Sequence, residues 1–348
     1  MSLTIGLMAT MISEQYRDQI KACRETWIPK ANALGIRVLF FVGSVTDPVL
    51  EDGHTDIIHL DGVRDDYESA TFKHWYGLRW MLLNNPSDFY FLGGSDNYVH
   101  VDRMLTLISK YRTDDPLLIS GYNETRIILG QTITFGLGGS GIIFNHQGLV
   151  ALEPSIEQII RQWHKVHPEG HHLRHACDVA TYYHGTKLGF SSLFVPGMHP
   201  CSWIGLFKGC PYPYGAWELK PETLITCHFM EPIDQHLFDQ YPQDTTVYRR
   251  LLDLKNLLPT VTLPSGLRGI VIEASEVETL AVVKRLIEDY RTGPKKVWVK
   301  DASKVALLYN GKLGLTVSLL DADIPQEVEA IILGKEAEVL ADPRVIRI

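Results

Sequence analysis

The chain has 348 residues, of which 45% are hydrophobic, and a formal net charge of −8 at pH 7. That length and apolar content can bury a large core and suggest two domains or one large one. The acidic balance argues against a nucleic-acid partner, whose electrostatic footprint is a basic face.

Cys23, Cys177, Cys201, Cys210 and Cys227 are few and lack CxxC spacing. They read as reduced thiols of an intracellular protein, with a Cys201–Cys210 bridge left open. The opening "LTIGLMATM" is apolar but has no basic leader and runs straight into "SEQYRDQIKACRETW". It reads as a first strand, Leu3–Ala9, rather than a signal peptide. No apolar run reaches the roughly 18 residues of a membrane span, so the expected location is cytoplasmic.

In chain order, Ser13 is placed to cap a helix in which Tyr16, Ile20, Cys23 and Trp27 recur at helical spacing, with Pro29 near its end. "IRVLFFVG" is a continuous apolar strand, as in a sheet covered on both faces, and "TDIIHL" is a shorter one. "DDYESATFKHWYGLRWMLLNN" places Tyr67, Phe72, Trp75, Leu78, Met81 and Leu82 along one helix face. "DFYFLG" then delivers a strand into "GSDNYV", a glycine turn that presents Asp96. Strand–helix alternation up to about residue 120 favours an α/β sheet with helices on its faces.

Further on, "TFGLGGSGIIFNHQGL" mixes a glycine turn with a strand, "PSIEQIIRQW" is helical, and "ACDVATYYHGTKLG" is a helix with glycine near its end. The Gly-, Pro- and aromatic-rich "FVPGMHPCSWIGLFKGCPYPYGAW" reads as an ordered loop region. "LLPTVTLPSGLRG" looks like a linker, after which the strands "RGIVIEA", "KKVWVK", "LTVSLL", "VEAIILG" and "RVIRI" define a second α/β unit. The expected division is a first domain over 1–258, a linker over 259–268 and a small α/β domain of unknown role over 269–348.

Taken in order, "YRDQIKACRETW" with "VLFFVG", "DDYESATFKHWYGLRWM", "FLGGSDNYVHV", "GLGGSGIIF", "CDVATYYHGTKLG" and "TCHFM" resemble the motifs of the fringe and β1,3-galactosyltransferase superfamily over about residues 1–230. The resemblance implies a GT-A domain, a Rossmann-like α/β fold, followed by the smaller α/β domain. It implies an inverting glycosyltransferase that moves a sugar such as galactose or N-acetylglucosamine from a UDP-sugar to a glycan hydroxyl. Mn²⁺, or Mg²⁺, would neutralise charge on the leaving diphosphate.

Asp96 matches the last acid of the family's metal-binding triplet and His228 its metal-ligating histidine, while Gly94 and Ser95 stand where the family has two more aspartates. Asp178 matches the family's second acid and would be the base, its partner acid being replaced by Cys177. The resemblance places Thr10, Arg24, Asp65, Asp66, Lys73, Ser95, Gly138, Gly139 and Ser140 around the donor.

Each residue also has a plainer reading. Asp96 is then a loop aspartate, His228 a packed histidine, Asp178 a helix cap, and Lys73 and Arg24 solvated cations. Trp203, Tyr212 and Trp217 are candidates to stack on acceptor sugars, or are packing of a loop-rich subdomain. The histidines of "WHKVHPEGHHLRH" lack an HExxH or Cys/His framework and read as a loop near the acceptor side. The alternative to catalysis is a non-catalytic nucleotide- or glycan-binding descendant of the same fold. Eukaryotic members usually carry a membrane anchor, whereas this chain begins at a strand. The expectation is therefore a soluble protein of bacterial or viral origin, or part of a longer multidomain polypeptide.

Overall fold

A computed structural model describes residues 1–44, 54–111, 114–202, 223–240, 261–264, 267–288, 295–299, 315–319, 328–333 and 342–347. The chain forms two compact units, Met1–Gln243 and Asp244–Ile348.

In the first unit, β1 (Leu3–Met8), β2 (Arg37–Ser44), β3 (Ile57–Arg64) and β4 (Phe89–Gly94) are parallel neighbours in the order β4-β1-β2-β3. The small strand β5 (Tyr98–Val99) follows, then β6 (Leu117–Ser120), β7 (Asn123–Ile128), β8 (Gln131–Gly136), β9 (Ile142–Asn145) and β10 (Ser191–Phe194). The main sheet has seven strands in the order β10-β6-β9-β4-β1-β2-β3. Of these, β9 alone runs against its neighbours β4 and β6.

The near-continuous apolar β2 and β4 are buried on both faces, as parallel-sheet sequences must be. Helices α1 (Glu14–Glu25) and α2 (Ile28–Ala33) connect β1 to β2, and α3 (Ala70–Asn84) connects β3 to β4. Trp75, Leu78 and Met81 of α3 join Phe41, Leu92 and Phe144 in one core. The helices α4 (Val101–Ile108), α5 (His146–Leu152), α6 (Ile156–Val166) and α7 (Cys177–Lys187) follow. The strands β11 (Met198–His199) and β12 (Thr226–Cys227) and the helix α8 (Pro232–Gln240) come after α7.

Three local readings change. Pro29 opens α2 instead of closing α1, because the chain breaks at Thr26 and proline fits a first helical turn. Tyr67 precedes α3 and is 62% exposed, so it is not on the buried helix face. Residues 123–133, to which the sequence reading assigns no regular element, lie in a β7–β8 hairpin turning on Leu129 and Gly130, both with positive φ. Leu-Gly lacks the Asn-Gly or Asp-Gly signal that marks such turns in sequence.

In the second unit, β13 (Gly269–Glu273), β14 (Lys295–Val299), β15 (Leu315–Leu319), β16 (Ala330–Leu333) and β17 (Val345–Arg347) form an all-parallel sheet in the order β15-β14-β13-β16-β17. Helix α9 (Glu276–Glu288) follows β13 and opens with a reciprocal cap: Ser275 N–H donates to Glu278 at 3.0 Å and Glu278 N–H to Ser275 Oγ at 3.4 Å.

Candidate active site

In the main sheet the strand order reverses at β1, with β2 and β3 on one side and β4 on the other. Loops leaving the carboxyl ends of such strands diverge and open a crevice, where open α/β sheets bind ligands. A cavity of about 380 Å³ lies there, bordered by Thr10 after β1, Asp66 and Tyr67 after β3, Asp96 after β4, the Gly138–Gly139 turn, Asp178 of α7 and His228 after β12.

A three-stranded ribbon, β11-β12-β5, brings the distant Asp96 and His228 together. Cys227 pairs with Tyr98 across β12 and β5, and the Met230 N–H donates to the Asp96 carbonyl at 2.9 Å. As a result His228 Nε2 lies 3.2 Å from Asp96 Oδ2, both side chains being partly exposed.

The other ring nitrogen, Nδ1, is 3.0 Å from the Pro200 carbonyl, which can only accept. Nδ1 therefore carries the proton, and a neutral ring turns the Nε2 lone pair toward the carboxylate. Two acceptors at that distance call for a proton or a cation to bring them together. One carboxylate and one imidazole suit Mn²⁺, which accepts both oxygen and nitrogen, better than the oxygen-seeking Mg²⁺. Among the described residues no group of three metal-ligating side chains occurs, so diphosphate oxygens and water would complete the coordination.

The turn that carries Asp96 is held from several sides. Ser95 N–H donates to the Met8 carbonyl, Ser95 Oγ to Gln19 at 2.9 Å, and the Ser95 carbonyl accepts from Gln235 at 3.3 Å. Ser95 is fully buried, so it anchors the turn and does not face the cavity.

Asp178 lies on the opposite part of the wall. Its Oδ2 accepts from Gly138 N–H at 2.9 Å and its Oδ1 from Val179 N–H at 2.8 Å. Burial pushes its carboxyl up from the ordinary range, against the pull of those two N–H groups. The adjacent Cys177 thiol is pushed up to about 12, mainly by burial, and is a protonated neighbour at neutral pH.

The Gly138–Gly139 turn is where the two halves meet. A Cβ on Gly138 would lie 2.8 Å from Asp178 Cβ, and one on Gly139 would fall against His228 Nδ1 and 2.8 Å from the Pro200 carbonyl. No side chain fits between the turn and these groups. Ser140 is fully buried; its Oγ accepts from Gly121 N–H at 3.0 Å and its carbonyl accepts from Thr226 at 2.8 Å. It pins the turn from behind and does not border the cavity.

Asp65 and Lys73 form a buried ion pair of 2.7 Å, with Lys73 Nζ also donating to the Ala9 carbonyl at 2.8 Å. Asp65 also accepts from Gly43 N–H at 2.7 Å and Met11 N–H at 2.6 Å, while Thr10 Oγ1 donates to its carbonyl at 2.7 Å. Burial raises its carboxyl, but the Lys73 and Gly43 hydrogen bonds outweigh that and hold it below the ordinary range. Asp65 thus stitches together the ends of β1, β2 and α3, and the cavity wall is formed by its partners Thr10 and Lys73 and by its neighbour Asp66.

Arg24, expected near the nucleotide, is paired with Asp56 at 2.6 and 3.0 Å and does not border the cavity. Trp203, Tyr212, Trp217 and Cys210 lie outside the described residues. The histidine-rich segment packs on rings: His164 lies 4.4 Å from Phe72, His167 4.3 Å from Trp163 and His175 5.0 Å from Tyr67, centroid to centroid. Tyr16, Tyr67, His175 and Phe229 are wall residues that sequence reasoning did not assign to the cleft. For Tyr16 and Tyr67 the helical spacing pointed to the core instead.

A parallel-rich sheet with one reversed strand, and a small ribbon that brings a carboxylate and a histidine to the strand ends, fit the GT-A fold that the motifs implied. Residues 18–131 match the family model described as Galactosyltransferase, the family that the chain's ordered motifs resemble. Asp178, His228 and the glycine turn lie beyond the matched segment.

Among solved structures, the chain is similar to the glycosyltransferase GlyE of Streptococcus pneumoniae TIGR4, with 12% identity, 99% of this chain and 95% of that one covered, and a TM-score of 0.39. It is also similar to the galactosyltransferase LgtC, solved with donor and acceptor sugar analogs, at 12% identity, 75% and 98% coverage and a TM-score of 0.41. A glycosyltransferase involved in glycosylation of the major capsid of PBCV-1 matches at 10% identity, 70% and 99% coverage and a TM-score of 0.40. No curated protein matches the chain. Among the described residues, no helix is long and apolar enough to cross a membrane.

Proposed function

We propose that the first unit is an inverting glycosyltransferase that transfers a sugar, galactose, N-acetylglucosamine or a similar hexose, from a UDP-sugar to a glycan hydroxyl. The observation that carries this reading is the Asp96–His228 pair at the mouth of a strand-end crevice that also holds Asp178. Asp96 and His228 would hold Mn²⁺, which when bound supplies charge neutralisation for the leaving diphosphate.

Asp178 would accept the proton of the acceptor hydroxyl. The acceptor oxygen then forms its bond to the anomeric carbon as the bond from that carbon to the UDP oxygen breaks. Each Asp178 oxygen accepts one N–H and keeps a second lone pair, so holding the turn and taking a proton are compatible. A carboxyl raised above its ordinary range is also a stronger base. Lys73, Thr10 and Asp66 would border the nucleotide, and Gly138 and Gly139 would let a sugar approach the main chain.

The non-catalytic alternative is favoured by one feature: Gly94 and the buried Ser95 leave a single carboxylate on the acid turn. The two readings separate by release of UDP from UDP-galactose and UDP-N-acetylglucosamine in the presence of Mn²⁺. Turnover that disappears in Asp178→Asn and Asp96→Ala supports catalysis. Binding of UDP with no release from any UDP-sugar, with or without an acceptor, supports the alternative.

A further inference from the structure

Phe229 follows His228 directly and stands at the lip of the cavity, 59% exposed. Its backbone φ is +53°, the left-handed region, where a bulky side chain is an outlier. Leu129, the other non-glycine residue with positive φ among those described, sits in a tight hairpin turn that requires it. Phe229 has no such turn to explain it. On either side of it, the Met230 N–H donates to the Asp96 carbonyl at 2.9 Å and the Phe229 ring lies 3.7 Å from that of His228, centroid to centroid. An exposed apolar ring in a strained backbone is an unusual expense of stability, and such outliers cluster at ligand sites. Tyr67 supplies a second exposed ring on the same cavity wall, tilted against His175.

Resting on the proposed transferase reading, we infer that Phe229 is the platform for the acceptor: its ring receives the apolar C–H face of a pyranose. An aromatic ring beside carboxylates suits a sugar, which has apolar faces and a polar edge. The platform would hold the acceptor at the entrance while its hydroxyl is turned inward. The held φ fixes where the ring stands, so less ordering is left for the moment of binding. The acceptor is then a glycan, not a flexible aliphatic alcohol or a peptide hydroxyl.

The experiment uses the full chain with UDP and Mn²⁺ present, probed on immobilised lactose, N-acetyllactosamine, cellobiose and chitobiose. Phe229→Gly removes the ring and accepts the backbone conformation without strain. It is expected to melt no lower than the unmodified chain and to keep its stabilisation by UDP, while glycan retention falls at least ten-fold. Phe229→Trp should restore retention. The inference is overturned if Phe229→Gly retains glycans as the unmodified chain does, if it melts markedly lower, or if UDP stabilises the unmodified chain and none of the glycans is retained. Absence of any UDP stabilisation in the unmodified chain overturns the donor reading instead, and the inference with it.

Discussion

Replacing Asp178 by Asn separates its two tasks. In the native chain both carboxylate oxygens accept a backbone N–H, from Gly138 at 2.9 Å and Val179 at 2.8 Å. An amide offers one acceptor and one donor, so one of those N–H groups loses its partner, at a cost of about 1–3 kcal/mol. The opposite contribution comes from burial, which raises the Asp178 carboxyl. A folded-state value above the unfolded one means that this group's contribution to stability is present at low pH and is lost as pH rises past about 4 and through the raised value. The Asn substitution escapes that loss. The two effects oppose each other at neutral pH, and the melting temperature should change by only a few degrees.

Turnover should respond differently. Loss of a general base costs about 10²–10⁴-fold, equivalent to about 2.7–5.4 kcal/mol of barrier. Donor binding precedes that step, so UDP affinity should hold. The assays are thermal melting between pH 4 and 8, calorimetric UDP titration, and transfer from UDP-sugar to the retained glycan. A lowered melting temperature with near-normal transfer would refute the reasoning, leaving Asp178 as the group that holds Gly138 and the start of α7. In the unmodified chain, transfer should also fall on its acid side at a pH above the ordinary carboxylate range, because only the ionised base accepts a proton.

Gly139→Ala would press a methyl group onto His228 Nδ1 and the Pro200 carbonyl. It should cost about 1–3 kcal/mol and shift the Mn²⁺ midpoint upward while metal-free UDP binding is kept, as metal titrations will show. Asp65→Asn strands the buried Lys73 ammonium and should cost about 3–5 kcal/mol in denaturant unfolding at pH 7. Because the Asp65 carboxyl is held low, its stabilisation is present above roughly pH 4 and is lost as pH falls through its depressed value, so the Asn variant and the unmodified chain should converge in strong acid. A chain ending after Gln243 should keep UDP affinity if folded, as calorimetry will check.

Much of the architecture is legible in the sequence because the strands are apolar runs with no polar alternative. "VLFFVG" and "FYFLG" can only be central strands, and the acid turn after the second follows from its glycines. The approach of Asp96 to His228 is not legible from periodicity: it depends on pairing between the two-residue strands β5 and β12, too short to leave a pattern. Ordered motifs suggested both residues, but the distance is tertiary. Helical spacing misdirects at Tyr16 and Tyr67, whose rings turn to the cavity. Asp65 and Ser95 match ligand positions by motif yet are consumed by internal hydrogen bonds, which a motif does not show. Phe229 carries no sequence signal, since a phenylalanine is not a residue type that marks a left-handed backbone.

The most direct test of the transferase account is the melting temperature of the full chain with UDP, with and without Mn²⁺, in the unmodified protein and in Asp96→Ala. Free ligand at about 100 times its dissociation constant adds about 2.7 kcal/mol of stability. The account predicts that Mn²⁺ deepens the UDP stabilisation of the unmodified chain and that Asp96→Ala abolishes most of that increment. Equal stabilisation by UDP with and without Mn²⁺, or an undiminished Mn²⁺ increment in Asp96→Ala, would contradict it.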